Sequence, residues 1–200
     1  MDRSAEPSKE IANPSSSSFR LTLIGAPALV QLAPGTGYEV NPASVQRPEL
    51  RFLFDYWNDK RRDRPMPSRA DLALRELKTQ LAWLTLLDVP PEGTDFRYRL
   101  IGTRVARYFR NDSTGKTVTE AFATVPAARE MMLVLLGTVA TQAVVVRTWG
   151  NLAWMGNDFE DFESLFLPFS DDGATVNMIM NPFVYDKALA LRERDEGSAL

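Results

Sequence analysis

The sequence contains no cysteine and no histidine. That excludes disulfides, Cys/His zinc sites, thiolate nucleophiles, cysteinyl–flavin adducts, His-ligated haem and any Ser–His–Asp triad. The usual general base near neutral pH is also missing, so catalysis would fall to carboxylates, Lys, Tyr or an imported metal. A lack of thiols fits a reducing compartment. The longest apolar stretch near the start, residues 19–32 (FRLTLIGAPALVQL), holds Arg20, Gly25 and Pro27 and is too short and broken to span a membrane. The mixed charge of the preceding MDRSAEPSKE speaks against a signal peptide, so a cytoplasmic location is expected. An excess of one charge is lacking too: 23 Lys+Arg stand against 26 Asp+Glu, a net −3. That disfavours nucleic acid as a partner, because binding it requires phosphate neutralisation.

What is present is a core: 44% of 200 residues are hydrophobic, enough for one domain with tails. Residues 1–47 read as a disordered leader and linker, with serine at 15–18 and then Pro34, Gly35, Gly37 and Pro42. Pro48 opens a helix whose Leu50, Leu53, Phe54 and Trp57 fall on one stripe. Pro65 and Pro67 stop it. A second helical stretch is expected from Ser68, with Asp71 as a capping-box partner and Leu74, Leu77 and Leu81 on its apolar side. Residues 48–80 are therefore a helical extension. Residues 82–89 and 95–101 read as strands joined by a Pro90–Pro91–Gly93 turn. Short helical pieces over 103–124 and a longer helix over 126–141 follow. Three strands are expected at 143–148, 159–169 and 175–185, and a tail at 189–200. The domain itself, residues 81–188, is α+β: a five-stranded antiparallel sheet with helices on one face.

These elements carry Tyr56-Trp57, Arg64 to Arg69 (RPMPSR), Leu87-Asp88-Val89 and Phe96 to Thr103 (FRYRLIGT). Thr114-Gly115-Lys116, Glu163 to Phe169 (ESLFLPF) and Asp172-Gly173 follow in order. The series resembles a PAS domain, and in particular the small standalone bacterial PAS proteins, over residues 48–185. The resemblance implies strand order 2-1-5-4-3, with the long helix across the inner face. It implies a sensory or regulatory module in bacterial signalling. Such a module binds a small molecule between sheet and helices, or dimerises through the outer face and leading helix. The leader and the Trp/Met-containing stretch 149–158 depart from the family pattern.

Met131, Leu135, Trp149, Met155, Phe166, Met178 and Met180 lie on elements that could line an inner ligand cavity, since methionine and aromatic side chains make adaptable apolar walls. The plainer reading of the same residues is filled core. Nothing names a cofactor; non-covalent flavin, a fatty acid or a metabolite all stay open. Lys60, Arg61, Arg62, Arg64 and Arg69 could form an anion site or simply a solvated helix end, with Asp59 and Asp63 diluting the charge. Strand alternation sends Arg97 and Arg99 to the outer face, where at least one is expected to pair with a carboxylate such as Asp55 or Asp59. Gly115 beside Lys116 reads as a turn glycine, because a phosphate-loop motif is absent. The acids Asp158, Glu160, Asp161 and Glu163 are split between strand faces, so no metal site is expected.

The expected function is a non-enzymatic module acting through a signalling partner, with Leu53, Phe54, Trp57, Arg97 and Arg99 at a homodimer or partner interface. No kinase, cyclase or DNA-binding helix-turn-helix is visible, so a signal would leave through a surface. The alternative is a small-molecule enzyme, a carboxylate-based lyase or hydrolase on an α+β fold. It would need two carboxylates facing one pocket.

Overall fold

Pro90, Pro91 and Gly93 turn the chain between two short apolar runs, and these pair as an antiparallel hairpin, β4 (Leu84–Asp88) with β5 (Arg97–Ile101). Gly93 supplies the positive φ of 63° at the turn. Gly102 then leads β5 into α2 (Thr103–Tyr108). A Cβ there would fall against the carbonyl oxygens of Leu81 and Ala82, so only glycine permits this close approach of backbones. Gly115, read as a turn glycine, does carry a positive φ, 86°.

The computed structural model describes residues 20–21, 30–31, 36–43, 45–109, 112–152 and 157–187. The expected disordered segment 1–18, the tail 189–200 and Met155 lie outside the described residues. The remaining elements are β1 (Arg20–Leu21), β2 (Val30–Gln31), β3 (Gly37–Val40), α1 (Pro48–Arg61), α3 (Val118–Ala121), α4 (Pro126–Gln142), β6 (Val146–Leu152), β7 (Asn157–Phe169) and β8 (Met178–Lys187). β1 and β2 pair with each other. The other strands form one antiparallel sheet in the order β3-β6-β7-β8-β4-β5. Five of them stand in the expected order, and β3 extends it by one. Residues 37–40, expected in a linker, are thus a sheet edge: Gly37 to Val40 pair with Trp149 to Val146.

The second helical stretch is corrected as well. Its Ser68–Asp71 capping box is present, but it heads a 3-10 turn, Arg69–Asp71, followed by two more, Leu74–Leu77 and Leu81–Trp83. Tyr56 explains part of this. Its hydroxyl donates to Asp71 O (3.3 Å) and accepts from Ala73 N (2.8 Å), pinning the backbone where a continuous helix would need both groups for itself.

Both α1 and α4 lie against β7 and β8, and the Glu163 carboxylate, which meets the backbone just ahead of α1, puts α1 on the outer face. The N-terminal extension is therefore a cover for the outer face. Leu53 and Trp57 are buried there, and the Trp57 indole N–H donates to Pro168 O at 2.7 Å. Glu163, 3% exposed, accepts from the backbone N–H groups of Gln46 (3.1 Å) and Arg47 (3.0 Å) ahead of α1 and from Arg147 Nε (2.7 Å). A buried carboxylate is tolerated here because its charge is met by a guanidinium and two amides.

Candidate functional site

Strand register sorts the side chains by face, because directly paired residues share a face and neighbours along a strand alternate. Val146 pairs with Phe166, Thr148 with Ser164, Phe162 with Tyr185, Ser164 with Phe183, Thr85 with Asn181 and Leu87 with Ile179. These form the inner face, under α4. Tyr108 of α2 meets Tyr185 and Phe183 at ring separations of 4.3 and 5.7 Å. Phe109 meets Phe183 (5.7 Å) and Phe122 (5.9 Å), and Phe162 stacks on Phe183 at 26°. The result is a continuous aromatic wall. Tyr108, Phe109, Phe122, Phe183 and Tyr185 are each only half-buried, whereas Phe162 is buried.

A polar row crosses the same face. Thr85, Asn181, Ser164 and Thr148 are all at most 6% exposed. Asn181 Nδ2 donates to Ser164 Oγ and to Leu165 O, both at 2.7 Å, and Ser164 Oγ donates to Pro182 O at 2.9 Å. The buried side-chain polar atoms without a hydrogen-bond partner among the described residues lie elsewhere: Thr36 Oγ1, Arg69 Nε and Asn177 Oδ1. Tyr98 shares the face through its pairing with Leu87, and burial, with Asp95 adding, pushes its phenol well above the usual tyrosine range, so it stays neutral. At the rim the Arg104 guanidinium stacks on Trp83, 4.3 Å from the ring centre.

Of the seven residues expected at one cavity, the six other than Met155 divide between faces. Phe166 is inner, while Leu135 (buried) and Met131 (half-buried) are on α4. Met178 pairs with Phe169 and Met180 with Leu167, which puts both on the outer face with Leu86, under α1. Trp149 also lies on the outer side, stacked on Arg147 at 4.6 Å and pressed against Gly37. These three cannot line the space that Phe166 faces, because each is an odd step in register from it. The aromatic wall and the polar row were not singled out from the sequence. The alternation of Phe183 and Tyr185 within MNPFVY was the available signal.

The expected interface residues are also redistributed. Leu53 and Trp57 are buried within the chain and Phe54 is half-buried, so the stripe of α1 is spent on its own sheet. Arg99 does pair with a carboxylate, but it is Asp88 (2.8 Å), shared with Arg69 (3.0 Å), not Asp55 or Asp59. Arg97 donates to Gly115 O. The basic run is tied down by Lys60–Glu76 (2.8 Å) and Arg64–Asp71 (2.7 Å), leaving less free charge for an anion. Asp158 and Glu160 have side chains outside the description, and among the described residues no group of acids could hold a metal ion.

No curated protein and no solved structure matches the chain. A family model does: residues 45–181 match the PAS domain. The match runs from the residues that Glu163 caps into β8, so it takes in α1 as well as the sheet and the helices of its inner face. With this span and this strand order, the chain belongs to the PAS domain family.

Proposed function

We propose that this chain is a non-catalytic sensory module of bacterial signalling. It holds a small molecule between the inner face of its sheet and α4, and passes the bound state to a protein partner. The observation that carries the reading is the aromatic wall. Five rings touch one another on the inner face and yet stay half-buried, an arrangement typical of a binding surface and unusual for a finished core. The partner is a signalling protein in the cytoplasm, and the module works as a homodimer. Phe52, 44% exposed on α1, and Trp149 and Val40 at the β3–β6 edge are the large apolar groups left for such contacts among the described residues. Among the described residues no helix is long and apolar enough to cross a membrane. The lyase or hydrolase alternative gains no support. Its two carboxylates would have to face one pocket, and Glu163 is instead committed to Arg147 on the outer side.

The test is the native mass of the purified full-length chain against its denatured mass. An excess per chain and a doubled native mass are expected. A chain that carries no excess mass and takes up no small molecule on titration overturns the ligand half of the reading; a monomer at all concentrations overturns the dimer.

A further inference from the structure

We infer that a second copy of this chain adds at the open β3 edge, joining two six-stranded sheets into one about a two-fold axis at Tyr38; this rests on the homodimer reading above. The two ends of the sheet are finished differently. At the β5 end the backbone is met: Tyr98 N donates to Lys116 O (2.9 Å), Gly115 N to Tyr98 O (2.7 Å) and Val118 N to Phe96 O (2.8 Å). At the β3 end, among the described residues, nothing pairs with Gly37–Val40 from the far side. An edge left open in this way is a template for another strand. β3 also precedes residues 45–181, which match the PAS domain, so this edge stands outside the part shared with the family.

Register decides how a second copy fits. Asn41 N donates to Val145 O at 2.7 Å, so along the β3–β6 ladder Gly37 and Glu39 turn their backbone groups to β6, and Tyr38 and Val40 turn theirs outward. Both faces of the joined sheet stay continuous only if paired residues share a face. Two registers then use most of the strand, one centred on Glu39 and one on Tyr38. Centring on Glu39 sets two carboxylates directly opposite each other, which is unfavourable. Centring on Tyr38 lets its N–H and C=O exchange both bonds with their copies and sets Glu39 opposite Gly37 of the other copy. Gly37 carries no side chain, and the Trp149 ring lies across it: a Cβ there would fall 2.9 Å from Nε1. The Glu39 side chain, 43% exposed, would lie against that ring, within reach of the indole N–H and beside the Arg147 guanidinium stacked on it at 4.6 Å. Val40, 41% exposed, would face Thr36 of the other copy.

The lack of cysteine gives a direct test, because one introduced thiol is then the sole thiol of the chain. Tyr38→Cys, Glu39→Cys and Phe52→Cys are made singly in the full chain and oxidised mildly, and the covalent dimer is followed with time. Residues directly opposite in an antiparallel pair lie within disulfide reach, so Tyr38→Cys should cross-link faster than Glu39→Cys and at least about tenfold faster than Phe52→Cys on α1. Val40→Pro removes an N–H that β6 does not use. It should weaken the dimer at least about tenfold in sedimentation and leave the circular dichroism of the chain unchanged. If the parent chain is dimeric, Phe52→Cys cross-links fastest and Val40→Pro leaves the dimer intact, the β3 edge is overturned and the homodimer reading stands. Fastest cross-linking of Glu39→Cys overturns the axis at Tyr38. A parent chain that is monomeric at every concentration overturns both readings. A Tyr38→Cys thiol that in such a monomer reacts slowly with a small thiol reagent shows that the chain covers its own edge.

Discussion

The two faces of one sheet are built by different rules. On the outer face, Leu165, Leu167, Phe169, Met178 and Met180 are at most 2% exposed beneath the Leu53 and Trp57 side chains of α1. The polar groups that hold α1 there, the Trp57 indole and the Glu163 carboxylate, have partners within the chain. On the inner face the rings of Tyr108, Phe109, Phe122, Phe183 and Tyr185 are half-buried. The same strands serve both, since alternate residues of β7 and β8 point to each. The difference separates two roles. The outer face is packed to be permanent, with every loss felt as instability. The inner face keeps aromatic surface that the fold does not bury, so changes there should be felt first in binding.

Substitutions on the outer face should therefore cost most. Trp57→Ala removes a buried ring and leaves Pro168 O without its donor. A loss of about 3–5 kcal/mol in urea unfolding is expected, as for other buried aromatic truncations. Glu163→Ala follows at about 3 kcal/mol, because Arg147 then keeps just one carboxylate among the described residues, Glu39 at 3.5 Å, and two amides ahead of α1 lose their acceptor. The double variant Glu163→Leu, Arg147→Met should recover much of that loss in the same assay. If it is instead worse than either single change, the pair is more than a satisfied burial. Phe183→Ala, on the inner face, should cost only about 1–2 kcal/mol because the ring is half-buried. A cost equal to that of Trp57→Ala would erase the distinction between the faces.

Much of this was legible from residue spacing. The stripe of α1, the Pro–Gly hairpin, the Ser68 capping box and the places of the five strands along the chain follow from local periodicity and turn chemistry, whereas their order in the sheet came only with the resemblance to a PAS domain. The sheet edge at β3 was not, because Gly37-Tyr38-Glu39-Val40 sits among prolines and glycines and its strand character comes only from pairing with β6. The candidate site was harder still. Met178, Met180 and Trp149 were grouped with Phe166 by residue type, and type carries no information about face. Face is fixed by register, and register by long-range pairing: Phe166 with Val146, Met180 with Leu167. The polar row has the same origin. Thr85, Thr148, Ser164 and Asn181 come from four strands and form a line only once those strands are side by side.

The smallest expected effect lies in the turn that joins β7 to β8 and so serves both faces at once. Asp172 Oδ1 accepts from the N–H groups of Thr175 (2.7 Å) and Ala174 (2.8 Å) and from the Ser170 hydroxyl (2.7 Å). These bonds, the Thr175 N–H foremost, hold its carboxyl well below the ordinary carboxylate range. A carboxyl depressed in the folded state adds stability that is fully present above its unfolded pKa, 3.8, and fades as pH falls through the folded value. Asp172→Asn keeps an oxygen to accept the same bonds but cannot titrate. Near neutral pH the variant should unfold at a urea concentration close to that of the parent chain. Below about pH 4 its stability should fall less steeply with acid than the parent's. Because the turn serves both faces alike, the excess mass carried by the native chain should be the same in both chains. A variant that loses stability at neutral pH as well would show that the charge itself, and not the hydrogen-bonded oxygen, closes the turn. A variant that loses binding would tie the turn to the inner face and break the symmetry assigned to it.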